Sequence, residues 1–419
     1  MAQPRKRRNP GAVDSPSTAT GPTRCPVVGL GASAGGLDAF QRFFSRLPPD
    51  SGMAFLVVQH LDPHHETLLP ELLRKSTSMS VEQVRDETPV QPDHVYVIPP
   101  NATLTIEGGI LRVRGPTETA GVRMPIDSLF GSLAEDQGHN AVCILFSGTG
   151  SDGTIGLRAV KEHGGMAMAQ SPESAQHDSI LRSAISTGLV DHVLPPEELA
   201  VKLLEYATYL ASLRTHQGPE ALVLASPEEL ARICTILLHR TSHDFRQYKS
   251  ATLIRRIQRR MQVLQIVSVP AYIERLREDP KEADQLFRDL LIGVTHFFRD
   301  VDAFAALSRE VIPRLLEVGT ADGSLRVWTP GCATGEETYS VAILLYEEML
   351  RRGVRPKVQI FAGDIDDEAL EFARQARYSQ GIVEHVPPER LERFFVKHDH
   401  SYQVVKELRE MCIFSTHNL

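Results

Sequence analysis

The stretch CPVVGLGASAGGLDAF (Cys25–Phe40) indicates the fold of the first part of this chain. An apolar run typical of a buried strand leads into a glycine-rich turn and then into an amphipathic pattern. The turn Gly31–Gly35 matches the G-x-S-x-G pattern of a nucleophile elbow, in which a serine follows a strand. The glycines from Gly29 onward also match a loosened dinucleotide fingerprint. The stretch therefore predicts an α/β domain and leaves two roles open for Ser33, as a nucleophile or as part of a cofactor loop.

The length and composition are those of a globular protein with more than one domain. The 419 residues exceed what one ordinary core supports, and 42% of them are hydrophobic and 23% charged. The net charge of −8 argues against nucleic acid as the main partner, because such a partner requires a basic surface. No apolar run approaches the roughly 18 residues that cross a bilayer. The basic N-terminal segment has no apolar core, so we expect no signal peptide, no direct membrane insertion and a cytoplasmic location.

The cysteines of the chain are scattered and form no C-x-x-C pair. This distribution suits a reducing cytoplasm and predicts neither a disulfide framework nor a zinc site. We therefore expect no metal in this protein.

Apolar runs alternate with amphipathic helical patterns from residue 25 to about residue 200. The strand-like runs are PVVGL, MAFLVVQ, VYVIP, AVCILFSG and MAMAQ. This alternation predicts a doubly wound, mostly parallel sheet covered by helices. The segment ATLTIEGGILRVR (102–114) predicts a β-hairpin around Glu107, Gly108 and Gly109.

The second half of the chain predicts two further domains. A helix begins at Ser226, where Pro227 suits the first helical position and Glu229 completes an S-x-x-E capping box. Helical patterns continue to about residue 292, and strand–helix alternation then resumes. The expected organisation is a disordered basic tail (1–23), an α/β domain (24–205), a linker (206–225), an all-helical domain (226–292) and a second α/β domain (293–419).

Polar residues that can form a catalytic triad follow three strands. A dinucleotide site would place an acid at the end of the second strand, but MAFLVVQHLD reaches Gln59 and His60 there. After the run AVCILF, the glycine-rich turn 147–153 supplies Asp152. Because the carboxyl ends of parallel strands meet at one edge of a sheet, we expect Ser33, His60 and Asp152 to converge as nucleophile, base and orienting carboxylate. Their order in the chain differs from that of α/β hydrolases, which argues against that fold.

Each of these residues also has a structural explanation. The G-x-S-x-G pattern often forms only a tight turn, and Asp152 can cap the helix that follows it. His60 can form a metal cluster with His64 and His65, or all three can belong to a polar loop. The turn 147–153 also matches G-x-G-x-x-G, but no acid ends the next strand. An oxidoreductase that binds a dinucleotide is therefore the weakest interpretation.

Three motifs between residue 25 and about residue 200 resemble the catalytic domain of the chemotaxis protein-glutamate methylesterases (CheB-type). They are GASAGG (31–36), VVQH (57–60) and SGTGSDG (147–153), in this order. The resemblance implies that Ser33 is the nucleophile, His60 the base and Asp152 the residue that orients the imidazole. The implied reaction is hydrolysis of glutamate γ-methyl esters on receptors, without a cofactor, with release of methanol. Glutamine deamidation is an implied side activity.

The oxyanion of such a reaction needs hydrogen-bond donors, and we expect the backbone N–H of Ala34 and one near Thr149 to supply them. Family members usually have a hydroxyl residue where Ala34 stands, so any hydrogen bond from that hydroxyl is lost. Many members also carry an N-terminal phosphoacceptor domain, whereas a short tail precedes Cys25 here. We therefore do not expect activation by phosphorylation of this chain.

A second glycine-rich turn, GCATGEE (331–337), follows a strand and opens a helix, and Asp364 ends the next strand. A strand, a glycine turn, a helix and a strand ending in an acid fit an adenosine-containing ligand. The turn lacks the Lys-Ser/Thr pair of a phosphate loop, which argues against a triphosphate.

This turn and its neighbours resemble the chemotaxis receptor methyltransferases (CheR-type), which use S-adenosylmethionine. The other matching motifs are VTHFFRD (294–300), GDID (363–366) and FSTHNL (414–419). The resemblance implies that Thr295 and Arg299 hold the methionine end of the cofactor. It assigns Glu337 and Asp364 to the amino and ribose groups, and Asn418 to the adenine.

Two departures from the methyltransferase pattern affect these expectations. Members often have Asn where Gly293 stands, so one cofactor hydrogen bond is lost. The family also continues past HNL with further strands. The resemblance therefore implies an incomplete Rossmann-like domain, truncated at its C-terminus, with little or no methyl transfer.

Four arginines of the helical segment YKSATLIRRIQRRM share one helical face: Arg255, Arg256, Arg259 and Arg260. A solvated surface is one interpretation, and a docking face for an acidic helix is another. Nucleic acid is a third, which the acidic chain and the few aromatic residues of this segment disfavour. We expect the partner to be a methyl-accepting receptor, or a related sensory protein, with acidic helices.

These expectations combine into a bifunctional chemotaxis-type signalling protein with opposed activities on receptor glutamates. The first domain would hydrolyse methyl esters, and the second region would use S-adenosylmethionine to form them. The alternative is a sensory signalling scaffold in which one or both sites no longer turn over.

Overall fold

The computed structural model describes residues 25–60, 68–115, 124–216, 226–291, 293, 295–398 and 401–418. Within these ranges the chain forms a seven-stranded sheet with its helices, an all-helical domain and a smaller α/β domain. The expected order of fold classes is confirmed. None of the helices in these ranges is long and apolar enough to cross a membrane.

The first domain is built on one parallel sheet and one small antiparallel sheet. Its strands are β1 (Val27–Ala32), β2 (Ala54–Gln59), β3 (Ser80–Gln83), β4 (Thr88–Pro89), β5 (His94–Val97), β6 (Thr103–Glu107), β7 (Ile110–Arg114), β8 (Val142–Leu145), β9 (Met166–Gln170) and β10 (His192–Leu194). The parallel sheet has the order β10-β9-β8-β1-β2-β5-β3, so β1 lies in its centre. Strands β4, β7 and β6 form the other sheet, and the predicted hairpin pairs Glu107 with Ile110.

Helices cover both faces of the parallel sheet and bury its apolar side chains. They are α1 (Gly36–Phe44), α2 (Leu69–Leu73), α3 (Pro125–Gln137), α4 (Thr154–Glu162), α5 (Ser179–Ile185) and α6 (Pro196–His216). Helices α1 and α6 share one core with Phe55 and Phe146, whereas α3, α4 and α5 share the other with Leu56 and Leu145. Helix α6 continues to residue 216, across positions that the sequence assigned to a linker.

The all-helical domain contains α7 (Pro227–Thr241), α8 (Ser250–Leu264), α9 (Val269–Glu278) and α10 (Pro280–Leu291). The predicted capping box is present, because the Ser226 hydroxyl accepts from the Glu229 N–H and the Glu229 carboxylate accepts from the Ser226 N–H. These bonds satisfy backbone donors that the first turn of a helix leaves free. The box therefore fixes where α7 begins.

The last domain contains two three-stranded sheets. Its helices are α11 (Val301–Ala306), α12 (Ile312–Asp322), α13 (Glu336–Arg352), α14 (Asp367–Gln375), α15 (Pro388–Phe394) and α16 (Lys406–Arg409), and a π-helical segment (Leu307–Val311) joins the first two. Its strands are β11 (Ser324–Pro330), β12 (Lys357–Asp364), β13 (Arg377–Ser379), β14 (Phe395–His398), β15 (Ser401–Val404) and β16 (Cys412–Thr416). Strands β11, β12 and β16 form a parallel sheet, and β13, β15 and β14 an antiparallel one.

Most of the arginine face of α8 is buried and is open neither to solvent nor to a receptor or nucleic acid, which corrects the interpretations drawn from the sequence. Arg256, Arg259 and Arg260 are at most 5% exposed, and only Arg255 of the four remains exposed. Arg259 donates to Asp191 of the first domain at 2.5 Å and also to Asp289 of α10. The face joins α8 to the first domain.

Further charges complete this buried cluster. Lys161 at the end of α4 donates to Asp191 at 2.7 Å, and Arg260 donates to Glu282 of α10 at 2.6 Å. Burial alone would raise the pKa of Asp191, but Arg259 and Lys161 hold that pKa below its usual range. Opposite charges in hydrogen-bond contact therefore compensate one another where water is excluded.

Backbone contacts extend the same junction. Arg256 donates to the Lys161 carbonyl at 2.7 Å, and the Arg259 Nε donates to the Gly165 carbonyl at 3.0 Å. The Tyr209 hydroxyl of α6 donates to the Ile266 carbonyl at 2.9 Å. The first and second domains are therefore held together by hydrogen bonds as well as by charge.

We expect Arg259→Ala to lower the free energy of unfolding by about 3–5 kcal/mol, because it removes one of the two cations that the buried Asp191 and Asp289 share and leaves only Lys161 in that role. Arg255→Ala is the matched control, since Arg255 lies on the same helix and is exposed. Chemical denaturation of the full chain measures both variants. Equal midpoints for Arg259→Ala and Arg255→Ala would show that the cluster contributes nothing.

Candidate functional sites

Ser33 lies directly after the central strand β1, at the carboxyl edge of the parallel sheet. Its N–H donates to the Ser147 carbonyl at 3.0 Å, which ties it to the turn after β8. A Cβ on Gly148 would lie 2.8 Å from the Ser33 Cβ, so only glycine allows these two turns to approach so closely. Ser33 is 7% exposed. The strand order reverses beside β1, and such switch points are where α/β sheets bind ligands.

The predicted triad residues are brought together. His60 follows β2, which pairs in parallel with β1, and its N–H donates to the Ala32 carbonyl at 3.1 Å. The Ser33 Oγ lies 3.4 Å from His60 Nδ1, and His60 Nε2 lies 2.7 Å from Asp152 Oδ2. The contact to Ser33 is long, as catalytic hydrogen bonds often are before substrate binds. The ring thus presents one nitrogen to each partner.

Asp152 is fixed by the start of α3. It is 2% exposed, and its carboxylate accepts from the N–H groups of Ile126 at 3.0 Å and Asp127 at 2.9 Å. A helix N-terminus stabilises a carboxylate through its free N–H groups and its dipole. A carboxylate acceptor at Nε2 favours the proton on that nitrogen, which leaves His60 Nδ1 free to accept from Ser33.

Backbone donors are available beside Ser33. Neither the Ala34 N–H nor the Thr149 N–H has an acceptor among the described residues. The buried Ser147 hydroxyl connects the two turns, since it lies 2.9 Å from the Ala34 carbonyl and accepts from the His177 N–H at 3.0 Å. The turns after β1 and β8 are therefore fixed relative to each other.

The glycines of β1 serve packing rather than a dinucleotide. A Cβ on Gly31 would lie 2.4 Å from Ile126 Cγ2, and one on Gly29 would lie 3.0 Å from Leu133 Cδ2. Both contacts are with α3, the helix whose first turn holds Asp152. Because Gly29 and Gly31 have no side chain, α3 can approach β1 closely enough to hold the predicted triad residue Asp152.

Metal binding has no support in the described residues. No group of three His, Cys, Asp or Glu side chains there is arranged to hold a metal ion. His64 and His65 lie outside the described residues.

The second glycine-rich turn lies between β11 and α13. Its backbone has positive φ at Gly331 (64°), Ala333 (43°) and Gly335 (92°). The Ala333 N–H donates to Asp364 Oδ2 at 2.8 Å, so the acid at the end of β12 holds the turn at the carboxyl edge of the second parallel sheet. The expected strand, turn, helix and acid therefore meet at one edge.

The predicted cofactor residues differ in their exposure. Asp364 and Thr295 are half-buried, and Glu337 and Arg299 are exposed. Asn418 is also exposed and follows His417, whose N–H donates to the Asp364 carbonyl at 2.8 Å.

Glu336, which no sequence motif singled out, is buried beside this turn. Its carboxylate accepts from the Thr334 hydroxyl at 2.6 Å. Burial raises its pKa, whereas Arg158 of α4 and hydrogen bonds from Thr334 and Thr295 oppose the rise. The helical spacing of the sequence could have indicated that Glu336 is buried, because Glu336 shares a helical face with the buried Ser340. The Ser340 hydroxyl donates to the backbone carbonyl of Glu336.

Comparison with known proteins agrees with this division of the chain. Residues 28–203 match the CheB methylesterase family, residues 228–291 the all-alpha domain of CheR methyltransferase, and residues 293–419 the SAM binding domain of CheR methyltransferase. A putative protein-glutamate methylesterase/protein-glutamine glutaminase of Leptospira interrogans is 31% identical over 175 residues, which cover 42% of this chain and 91% of that protein.

Two further similarities were found, to a longer relative and to a solved structure. An uncharacterized 104.1 kDa protein of Rhodobacter capsulatus is 38% identical over 370 residues, which cover 84% of this chain and 39% of that protein. The crystal structure of the Thermotoga maritima CheB methylesterase catalytic domain is 27% identical, with a TM-score of 0.41, over 43% of this chain and 98% of that one. The chain spans about half the length of other curated methylesterases that it matches. It belongs to the CheB methylesterase family, and CheR methyltransferase domains follow in the same chain.

Glu162, at the end of α4, lies where the three domains meet. Burial raises its pKa to about 7 from 4.5, although Arg158, Arg256 and Arg299 oppose the rise. The folded state therefore binds more protons than the unfolded state between these two values, and stability falls as pH rises through that window.

We expect Glu162→Gln to remove this loss of stability at rising pH, because the amide does not titrate. From pH 5 to pH 8, the free energy of unfolding of the parent should fall relative to that of the variant by an amount on the order of 1–3 kcal/mol. Denaturant titrations at several pH values measure the difference, with the exposed Glu173→Gln as control. Parallel pH profiles for the parent and Glu162→Gln would contradict this account of the junction.

Proposed function

We propose that this chain is a bifunctional, chemotaxis-type signalling enzyme that acts on receptor glutamates. Its first domain hydrolyses glutamate γ-methyl esters, and its last region is an S-adenosylmethionine-dependent protein-glutamate O-methyltransferase. The observation that carries the proposal is the contact of His60 with both Ser33 and Asp152, at 3.4 and 2.7 Å. Family membership supplies the substrate class.

The esterase reaction proceeds in two steps. His60 Nδ1 takes the proton of the Ser33 hydroxyl as the Ser33 oxygen attacks the ester carbonyl. The same proton passes to the departing methoxide, which leaves as methanol, and the acyl group stays on Ser33. His60 then activates a water that cleaves the acyl-enzyme and restores the free serine, leaving a glutamate side chain.

The surroundings of the triad lower the barrier to both steps. Asp152 holds the Nε2–H of His60 and stabilises the imidazolium that forms. The Ala34 and Thr149 N–H groups donate to the oxyanion, since neither has another acceptor in the described residues. Attack on a carboxamide by the same groups would release ammonia, so glutamine deamidation belongs to this proposal as a side activity.

The second parallel sheet fits an adenosine ligand. A cavity of about 170 Å³ beside its glycine turn is lined by Gly293, Ala333 and Thr334 among others. S-adenosylmethionine would supply an activated methyl group there. Thr295 and Arg299 would hold its methionine end, Glu337 and Asp364 its amino and ribose groups, and Asn418 its adenine. The acceptor carboxylate needs no strong base, so the protein's contribution is positioning.

The partner in this proposal is a methyl-accepting receptor or a related cytoplasmic sensory protein. This chain would recognise the receptor helices that carry the modified glutamates. The arginine face of α8 plays no part in its recognition, because that face is buried against Asp191 and Asp289. The receptor glutamate must instead reach the sheet edge at Ser33.

The test of the esterase is methanol release from a receptor peptide that carries a γ-methyl glutamate. Ser33→Ala should reduce the rate to the uncatalysed level, because no other group replaces the nucleophile. Asp152→Asn should keep a partial rate, since nucleophile and base remain while the imidazole loses its orienting charge. The exposed Ser45→Ala is the matched control. Undiminished methanol release by Ser33→Ala would refute the serine mechanism.

Calorimetry with S-adenosylmethionine on the same sample tests the second activity. Binding together with transfer of a labelled methyl group to the peptide supports the bifunctional assignment. Methanol release without any cofactor binding would mean that this chain has the esterase activity and no methyltransferase activity. Failure of both assays would leave a signalling scaffold.

A further inference from the structure

Gln59 connects the strand that carries the base to the backbone of the nucleophile. It is the last residue of β2, pairs in register with Ala32 of β1 and directly precedes His60. Its side chain is half-buried, and its Nε2 donates to the Ser33 carbonyl at 3.3 Å. No step of the proposed esterase reaction uses this side chain. The amide nevertheless reaches from the second strand to the turn that holds the nucleophile.

The peptide unit that Gln59 contacts also carries one of the proposed oxyanion donors. A peptide unit is planar and trans, so its carbonyl and its N–H point in opposite directions. The Ser33 carbonyl and the Ala34 N–H are the two ends of one such unit. A side chain that holds the Ser33 carbonyl therefore also sets the direction of the Ala34 N–H. Because hydrogen bonds in a chain polarise one another, the same contact strengthens that N–H as a donor.

A second hydrogen bond to the Ser33 carbonyl has a different effect. The Gly36 N–H donates to this carbonyl at 3.1 Å, but it belongs to the same turn and moves with it. Gln59 belongs to the neighbouring strand, so its bond ties the turn to the sheet. A Cβ on Gly36 would lie 2.4 Å from the Ala32 Cβ and 3.6 Å from Gln59 Nε2, so the amide lies against the bare Cα of this glycine. The turn after β1 is thus fixed from β2 at the carbonyl of the nucleophile.

The second proposed donor is held in a similar way. The Thr149 N–H shares its peptide unit with the Gly148 carbonyl. That carbonyl accepts from the Ile180 N–H at 3.3 Å and from the Ser179 hydroxyl at 3.5 Å. Both of these residues lie at the start of α5, which follows β9, so the two carbonyls are held from opposite sides of β1. The direction of each donor is therefore set by contacts at the far end of its own peptide unit.

We propose that Gln59 is a positioning residue of the esterase. Its amide orients and polarises the peptide unit between Ser33 and Ala34, so that the Ala34 N–H stabilises the oxyanion of the transition state. This inference rests on the proposed serine mechanism. Gln59 contacts neither the ester nor the proton that moves, and it acts through the backbone of the nucleophile. Its contribution is realised only as negative charge develops on the ester oxygen.

Steady-state kinetics of methanol release from a receptor peptide with a γ-methyl glutamate test this inference in the full chain. Gln59→Met keeps the length of the side chain and removes the donor. It should lower kcat roughly 10-fold, which is less than deletion of a whole oxyanion donor costs, and leave KM unchanged. Gln59→Glu keeps the size but puts a carboxylate beside the carbonyl, so it should lower kcat further. The matched control is Gln83→Met, which alters an exposed glutamine of β3 in the same sheet.

A substrate with sulfur in place of the carbonyl oxygen separates an effect on the oxyanion from a general disturbance of the site. Sulfur is a weak hydrogen-bond acceptor, so such a thionoester gains little from the Ala34 N–H. Gln59→Met should therefore lower kcat for the oxygen ester more than for the thionoester. Both rates are measured on one sample, so their ratio does not depend on the folded fraction of the variant. The pH profile of kcat/KM should keep the parent's shape, because the base is not altered.

The outcomes separate this inference from the proposed function. Undiminished methanol release by Ser33→Ala refutes the serine mechanism, and the inference with it. With the mechanism intact, Gln59→Met or Gln59→Glu at the parent's kcat overturns the inference alone. Equal losses with the oxygen ester and the thionoester also overturn it, because such a loss does not involve the oxyanion. A displaced pH profile overturns it as well, since Gln59 would then act on the base.

Discussion

The buried contact of Arg259 with Asp191 and Asp289 is the interaction on which the arrangement of the domains depends. Each of these side chains is costly to bury alone, and together they compensate one another across a domain boundary. The contact places α8 against the end of α4, and α4 in turn carries Arg158 toward the methyltransferase turn. One cluster of charges therefore fixes how the helical domain lies against the first domain.

A second constraint acts inside the esterase domain, where glycine takes the place of side chains. Gly31 lets α3 approach β1, and the first turn of α3 holds Asp152. Gly148 lets the turn after β8 approach Ser33. Glycines that suggested a dinucleotide loop are thus required for close packing, and this packing holds the predicted triad residues Ser33 and Asp152 in place. The same glycine positions therefore serve both the packing of this domain and the placement of its candidate catalytic residues.

Sequence patterns predicted the features that follow from the order of strands, turns and helices along the chain. The ends of parallel strands always meet at one edge, so Ser33, His60 and Asp152 could be placed together before any distance was known. The partners of Arg259 could not be predicted from the sequence, because Asp191 lies 68 residues away in another domain. A helical face of arginines looks the same in sequence whether water or a buried carboxylate covers it. Which nitrogen of His60 faces Ser33 also depends on packing and not on spacing.

The central structural claim is that the esterase and helical domains form one cooperative unit through the Arg259 cluster. Native-state hydrogen exchange of the full chain, followed over increasing denaturant, tests it most directly. The account predicts that the slowest amides of α8 and of the central strand β1 exchange with the same free energy and the same denaturant dependence. Exchange of α8 through a smaller opening, while β1 stays protected, would show that the two domains open independently and would contradict the account.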